Sequence, residues 1–154
     1  SNFEGKENFQ KKINLAKKYD DSVLIERFID GKEITVPIIN KRCLRPIHII
    51  PEGEFYDFEA KYVSKNTKYL EYKTDSEKLD SLNDLVINAY ELVDAENWGR
   101  IDIIDDGEDY FFIELNSVPG MTETSLVPKS SDLSGFSYLE LLESIIDDAL
   151  AKKA

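Results

Sequence analysis

The chain has 154 residues, 42% of them hydrophobic and 32% charged, with a formal net charge of −12 at pH 7. This length supports one domain, or a large piece of one, with a substantial core, and the composition is typical of a globular protein. The acidic balance argues against a nucleic-acid partner. A single cysteine, Cys43, excludes an internal disulfide. With no signal peptide and no membrane-length apolar run, these features predict a cytoplasmic protein without membrane contact.

Hydrophobic spacing predicts a helix and then a strand in the first thirty residues. Apolar side chains recur at helical spacing over residues 7–19, which predicts an amphipathic helix. Residues Val23–Glu26 predict a strand, and Asp30–Gly31 predict the turn that follows it.

A hairpin and a long loop are predicted next. The apolar runs Ile34–Ile39 and Leu44–Ile50 flank a turn at Asn40–Lys41, which predicts two paired strands. Residues 52–70 are polar and aromatic with no clear period, so they indicate a long functional loop.

Two further helices are predicted from apolar stripes and capping residues. Residues 79–93 have helical spacing, with Thr74 and Glu77 as a capping box. Ser137 and Glu140 form the box of the last helix. Its buried stripe is expected to contain Leu139, Leu142, Ile145, Ile146 and Leu150. Together the elements predict an α+β fold, with antiparallel strands covered by three helices.

A second predicted hairpin is the most informative segment of the chain. Residues 98–104 and 110–116 are two strands around an acidic turn, and a polar loop follows the second strand. Because side chains alternate along a strand, Arg100 and Asp102 share a face. On the second strand, alternation places on one face Phe112, Glu114 and Asn116, and on the other Phe111, Ile113 and Leu115.

This hairpin predicts a site for a hard cation. If Asp102 lies opposite or diagonal to Glu114, two carboxylates converge with the amide oxygen of Asn116, and the Arg100 guanidinium lies beside them. Oxygen ligands of this kind suit Mg²⁺. The alternative is a solvated polar face on an ordinary antiparallel hairpin.

Three segments together resemble one family. The run from Trp98 to Pro128, which includes FIELNSVPGMT and SLVP, is similar to the C-terminal part of a D-alanine–D-alanine ligase, an ATP-grasp enzyme of cell-wall synthesis. Residues 24–36, LIERFIDGKEITV, resemble the family's hinge and ribose-binding segment. Residues 55–62, FYDFEAKY, resemble its mobile phosphate-covering loop. The blocks follow the family's order and spacing.

The resemblance implies a fold and an activity. Residues 1–154 would form the C-terminal part of an ATP-grasp domain, an antiparallel sheet flanked by helices, without the N-terminal substrate domain and the glycine-rich phosphate loop. The full enzyme would join two D-alanines through an acyl phosphate for peptidoglycan synthesis, with release of ADP, and could be a homodimer. The fragment alone is expected to be inactive.

The resemblance also implies which residues bind ATP and metal. Two Mg²⁺ ions, which Mn²⁺ could replace, would be held by Asp102, Glu114 and Asn116. The other cofactor-binding residues would be Glu26, Phe28 and Ile29 at the adenine, Glu33 at the ribose, Lys61 at the phosphates, and Leu126.

Four residues are implied in catalysis and amino-acid recognition. Arg100 and the backbone N–H of Gly120 would stabilise the negative charge that develops during transfer. Tyr62 would reach toward the amino-acid site, and Ser125 would bind the carboxylate of the second D-alanine. Ser125 could instead be a plain helix cap. Thr124 departs from the histidine that the family usually has there, and we expect a small effect.

Two alternatives to this function remain open at the level of sequence. One is a related enzyme that makes a D-Ala–D-Ser or D-Ala–D-lactate product, or another dipeptide ligase; Tyr62 favours the dipeptide. The other is a non-catalytic acidic module that binds a divalent ion or a protein.

Overall fold

The structure is a computed structural model, and it describes residues 6–51 and 67–152. The chain divides into two compact units, Ser1–Asp30 and Gly31–Ala154. No helix within the described ranges is long and apolar enough to cross a membrane.

The described residues of the first unit form one helix, α1, at Lys6–Ala16. The predicted helix is therefore confirmed, although residues 17–19 form a turn instead of its last turn. The predicted strand Val23–Glu26 is wrong, because these residues have no regular structure. A strand depends on hydrogen bonds to a neighbouring strand, and the sheet does not include these residues.

The second unit is built on a six-stranded antiparallel sheet with the order β4-β3-β1-β5-β6, and the short β2 also pairs with β1. The strands are β1 (Lys32–Ile39), β2 (Arg42–Cys43), β3 (Ile47–Ile50), β4 (Lys68–Glu71), β5 (Trp98–Asp105) and β6 (Tyr110–Asn116). The antiparallel α+β prediction is confirmed. The two long strands β1 and β5 pair along their whole length in the middle of the sheet.

The turn between β1 and β2 is where the sequence placed it. Asn40 and Lys41 both have positive φ, at 49° and 60°. Two-residue hairpin turns favour this conformation because its twist matches that of the strands. The predicted strand 44–50 is shorter than expected, since regular pairing resumes only at β3. Residues 68–70 belong to β4, so the described end of the predicted 52–70 loop is a strand.

The described residues of the second unit form three helices: α2 (Ser76–Leu92), α3 (Leu126–Leu133) and α4 (Tyr138–Ala151). Helix α2 was predicted, but its N-cap is Asp75, whose side chain accepts a hydrogen bond from the Lys78 N–H at 2.8 Å. The predicted capping box of Thr74 and Glu77 is therefore wrong, because the N-cap lies one residue later than predicted. Helix α3 was not predicted, because it is short.

The two faces of the sheet carry different cores. One face packs against α2 through the cluster Ile34, Val36, Ile38, Ile101, Ile103, Leu82, Val86 and Tyr90. On the other face Ile47 and Ile49 pack against Leu126, at the start of α3. Each fully buried Leu or Ile contributes roughly 2 kcal/mol. The α2 face is therefore the main core, and α3 covers only part of the opposite face.

Helix α4 begins as predicted but buries a different stripe. Ser137 and Glu140 form a complete capping box, which confirms that start. Leu139, Ile146 and Leu150 are exposed, so the predicted buried stripe is wrong at these positions. Leu141 is the buried residue, in a cluster with Val127 of α3. Helix α4 contacts the rest of the unit along a narrow strip of its surface. Only the residues of that strip are therefore buried.

A buried carboxylate connects α2, β5 and the residue that follows β4. Asp105 accepts hydrogen bonds from the Tyr72 hydroxyl at 2.7 Å, the Gly107 N–H at 2.9 Å and the Lys78 ammonium at 3.2 Å. Burial alone would raise the pKa of Asp105, but these three donors together hold that pKa below its ordinary value.

We expect Asp105→Asn to lower the free energy of unfolding by about 2 kcal/mol at pH 7, because it removes charge-assisted bonds at a buried group. The depressed pKa means that the wild-type contribution is present above roughly pH 4 and is lost as the pH falls. Urea denaturation from pH 7 to pH 2 should therefore show the difference between wild type and variant shrinking. The exposed Asp109→Asn in the same turn is the control. A constant difference across this pH range would contradict the assignment.

Candidate functional site

The register of the three central strands brings the predicted metal residues together. Asp102 on β5 lies directly opposite Glu114 on β6, and Arg100 lies opposite Asn116. On its other side Asp102 faces Thr35 of β1. All five side chains therefore share the sheet face opposite α2, and the predicted convergence is confirmed.

A bulge in β6 makes this arrangement possible. The pairing shifts between Asp102 and Ile103, so that Phe112 lies opposite Ile103 while Glu114 lies opposite Asp102. Ile113 is the extra residue. The prediction that Phe112 shares the face of Glu114 is wrong, because simple alternation fails across a bulge. For the same reason Phe111, opposite Ile104, is not on the face of Leu115, opposite Ile101.

The Asp102 carboxylate is almost fully buried and accepts four hydrogen bonds. Its Oδ1 accepts from the Thr35 hydroxyl at 2.6 Å and from Arg100 Nε at 2.9 Å. Its Oδ2 accepts from Arg100 Nη2 at 2.8 Å and from Asn116 Nδ2 at 3.2 Å. The two bonds from Arg100 form a bidentate ion pair, which fixes the plane of the carboxylate.

The Asn116 amide lies between the two carboxylates. Its Nδ2 is 3.2 Å from Asp102 Oδ2 and 3.5 Å from Glu114 Oε1. An N–H group that lies between two carboxylates shows that positive charge is electrostatically favoured at this point. Rotation of the amide by 180° would present its oxygen there instead, which completes a set of oxygen ligands of the kind that Mg²⁺ prefers.

Carboxylates alone do not provide the full set of metal ligands. Within the described residues no group of three or more His, Cys, Asp and Glu side chains could hold a metal ion. The candidate site has two carboxylates, so a third protein ligand would have to be Asn116. The donor chemistry fits a hard cation and does not suit a soft metal.

Glu33 lies on the same face, near one end of β1. It precedes Thr35 by two residues, a spacing of about 7 Å along a strand. Glu33 is half-buried and lies opposite Ile49 and Ile104. A second carboxylate therefore lies on the face that carries the predicted metal residues.

The polar loop after β6 contains Gly120 and Ser125 in contact. A Cβ on Gly120 would lie 2.9 Å from the Ser125 hydroxyl oxygen, so a larger residue at position 120 would displace that hydroxyl. Ser125 occupies the N-cap position of α3, but its side chain makes no capping bond. Its hydroxyl oxygen instead accepts from the Thr122 N–H at 3.1 Å. The Leu126 side chain is buried, so only its backbone is available to a ligand.

The remaining predicted site residues fall elsewhere. Lys61 and Tyr62 lie outside the described residues. Glu26, Phe28 and Ile29 belong to the first unit; Glu26 is exposed, Ile29 is half-buried and Phe28 exposes 56% of its surface.

Two reactive side chains are separated from this site. Burial, with Asp84 nearby, raises the pKa of Cys43 to about 12, and the residue packs against the α2 core. Cys43 therefore packs as a small apolar residue. His48 lies opposite Ile34, on the face that packs against α2. The pKa of His48 is lowered mainly by burial and, to a lesser extent, by the nearby charge of Lys32.

Thr35 is the one residue of the site that sequence reasoning missed, because a threonine in an apolar strand is common.

Comparison with known proteins places this chain in a family. The family model described as D-ala D-ala ligase C-terminus matches residues 1–147. The chain is 46% identical over 137 residues to the D-alanine–D-alanine ligase of Actinobacillus succinogenes, covering 88% of this chain and 45% of that protein. It is 42% identical to that of Mannheimia succiniciproducens, covering 92% and 47%.

Comparison with solved structures gives the same family. The D-alanine–D-alanine ligase from Bacillus anthracis complexed with ATP superposes with a TM-score of 0.81 at 30% identity, covering 97% of this chain and 49% of that chain. The ligase from Coxiella burnetii gives 0.80 at 20% identity, which supports the fold alone. The fold is thus that of an ATP-grasp domain. The chain belongs to the D-alanine–D-alanine ligase C-terminal family, and it spans about half the length of the curated relatives it matches.

We expect Arg100→Met to lower the free energy of unfolding by about 3 kcal/mol, because it leaves the Asp102 charge buried without two of its four bonds. The pair is well shielded, with 15% and 4% of the two side chains exposed. Urea denaturation of the 154-residue chain measures the change. Arg42→Met, at an exposed position on β2, is the matched control. A loss below about 1 kcal/mol would show that the pair does not hold the site together.

Proposed function

We propose that residues 1–154 form the C-terminal part of the ATP-grasp domain of a D-alanine–D-alanine ligase, which joins two D-alanines with ATP for peptidoglycan synthesis. The observation that carries this proposal is the convergence of Asp102, Glu114 and Asn116 on one face of β5 and β6. The family match over residues 1–147 supports it.

Mg²⁺, or Mn²⁺ in its place, would be held by Asp102, Glu114 and Asn116. Two such ions would shield the phosphate charge that an attacking carboxylate meets. The acidity of the chain supports this requirement, since a net charge of −12 repels a nucleotide unless cations intervene.

The nucleotide would extend from the metal residues toward Glu33. A carboxylate suits the ribose hydroxyls because it only accepts hydrogen bonds and the hydroxyls can donate. Glu26, Phe28 and Ile29 would line the adenine, while Lys61 would contact the phosphates. The roles of these four residues rest on the resemblance of their segments to the family.

The second amino acid would bind at the start of α3. Because the Ser125 side chain does not cap the helix, N–H groups of its first turn remain for a carboxylate. The Ser125 hydroxyl would add a donor. The backbone N–H of Leu126 would face the same ligand, and Tyr62 would approach from the phosphate-covering loop.

The reaction would proceed in two steps. The carboxylate of the first D-alanine takes the γ-phosphoryl group of ATP, which yields an acyl phosphate and ADP. The amine of the second D-alanine then attacks the acyl carbon, loses a proton and expels phosphate. Arg100 and the Gly120 N–H would stabilise the oxyanion of the tetrahedral intermediate. Homodimer formation of the full enzyme stays a prediction.

The test is phosphate release that depends on D-alanine. The 154-residue chain is compared with a longer chain, in which the N-terminal half of the Actinobacillus succinogenes enzyme precedes these residues. We expect turnover only in the longer chain, because half a site cannot position both reactants. Asp102→Asn and Glu114→Gln should each reduce that turnover roughly 100- to 1,000-fold with the fold retained.

Asp109→Asn, in the exposed turn between β5 and β6, is the control and should keep full activity. Near-normal turnover of either metal-site variant at saturating Mg²⁺ would refute the metal assignment. If D-serine or D-lactate replaced the second D-alanine with higher kcat/KM, one of the related enzymes would be the correct function. An inactive longer chain that still binds Mg²⁺ would favour the non-catalytic module.

A further inference from the structure

We propose that Thr35 is a positioning residue for the metal site: its hydroxyl holds Asp102 Oδ1, so that Oδ2 is the oxygen presented to the cation. This inference rests on the proposed function, since it concerns how a proposed metal ligand is oriented.

Thr35 is placed in the sheet where it can act on Asp102 from a neighbouring strand. It is fully buried in β1, at the centre of the sheet, and lies directly opposite Asp102. Its hydroxyl donates to Asp102 Oδ1 at 2.6 Å, a length typical of a bond to an ionised carboxylate. A buried hydroxyl needs a partner, and this bond provides one across 67 residues of sequence.

The two carboxylate oxygens of Asp102 have different hydrogen-bond partners, and this difference determines which oxygen would bind the cation. Oδ1 accepts from Thr35 and from Arg100 Nε, which occupy both of its lone pairs. Oδ2 accepts from Arg100 Nη2 and from Asn116 Nδ2. Asn116 is itself a proposed ligand, and its amide also lies within 3.5 Å of Glu114. Rotation of the Asn116 amide would therefore free one lone pair of Oδ2, beside Asn116 and Glu114, while both lone pairs of Oδ1 stay occupied.

The bond also restricts the orientation of the carboxylate. A short acid on a strand can rotate about χ1 and χ2, and Arg100, on the same strand, could rotate with it. Thr35 belongs to a different strand and its β-branched side chain is confined by the sheet, so it fixes Oδ1 from outside β5. Removal of such an outer-shell partner typically weakens metal binding 10- to 100-fold.

The experiment measures Mn²⁺ binding to the 154-residue chain by electron paramagnetic resonance, in wild type, Thr35→Val, Thr35→Ser and Asp102→Asn. Valine keeps the shape and removes the donor, while serine keeps the donor. We expect Thr35→Val to raise the Kd about tenfold or more, and Thr35→Ser to remain within about threefold of wild type. Rescue by serine separates positioning from packing.

The outcomes distinguish this inference from the proposed function. If Asp102→Asn binds Mn²⁺ as tightly as wild type, the metal site itself is wrong. If Asp102→Asn weakens binding while Thr35→Val does not, only the role of Thr35 is refuted. Equal weakening in valine and serine variants also refutes it, because the hydroxyl would then not be the cause.

A second measurement covers the case in which Thr35→Val does not fold. The hydroxyl proton of Thr35 should be visible by NMR in the wild-type chain, since the buried bond to Asp102 slows its exchange with water. We expect the signal to persist at saturating Mg²⁺, because Oδ1 stays bonded to Thr35. Absence of the signal, or its loss on addition of Mg²⁺, would overturn the inference.

Discussion

The carboxylate of Asp102 is the group on which the polar face of this domain depends. It accepts hydrogen bonds from three strands: from Thr35 on β1, from Arg100 on its own strand β5, and from Asn116 on β6. A buried charge is costly unless it is fully bonded. The three strands must therefore keep their register for the charge to be tolerated, and that register is what brings the proposed metal residues together.

The sheet places the main core on one face and the candidate site on the other. One face buries large aliphatic side chains against α2 and supplies most of the core. The other face is only partly covered, by Leu126 of α3 and by Leu141 of α4, and carries the polar side chains of Asp102 and Glu33. A ligand site on the second face can thus vary in charge without a loss of the main core. The bulge at Ile113 marks the boundary, because it lets Phe112 stay on the apolar side while Glu114 joins the polar side.

Sequence reasoning recovered the elements whose signals are local. The stripe of α2, the capping box at Ser137 and the turn at Asn40 each depend on residues within a few positions of one another. The pairing of Asp102 with Glu114 also followed, because a hairpin keeps its two strands close in sequence. The family resemblance named the remaining site residues, and alternation alone could not have done so.

The errors have physical causes that a single sequence does not display. A bulge changes alternation without a distinct residue signal, which misplaced Phe112. The exposure of Leu139 and Ile146 depends on which surface of α4 contacts its neighbours, and that is determined by tertiary packing. Thr35 was missed because its partner lies 67 residues away. Long-range contacts of this kind are set by strand order.

The most direct test of the metal site is a map of paramagnetic broadening by Mn²⁺ in the NMR spectrum of the 154-residue chain. The chain has 31 Asp and Glu residues, so non-specific binding would spread the broadening over many acidic positions. A specific site on β5 and β6 requires broadening at low Mn²⁺ to centre on Asp102, Glu114 and Asn116 and to disappear with Mg²⁺ in excess. Broadening that is diffuse, or centred on other acidic residues such as those of the β5–β6 turn, would contradict it.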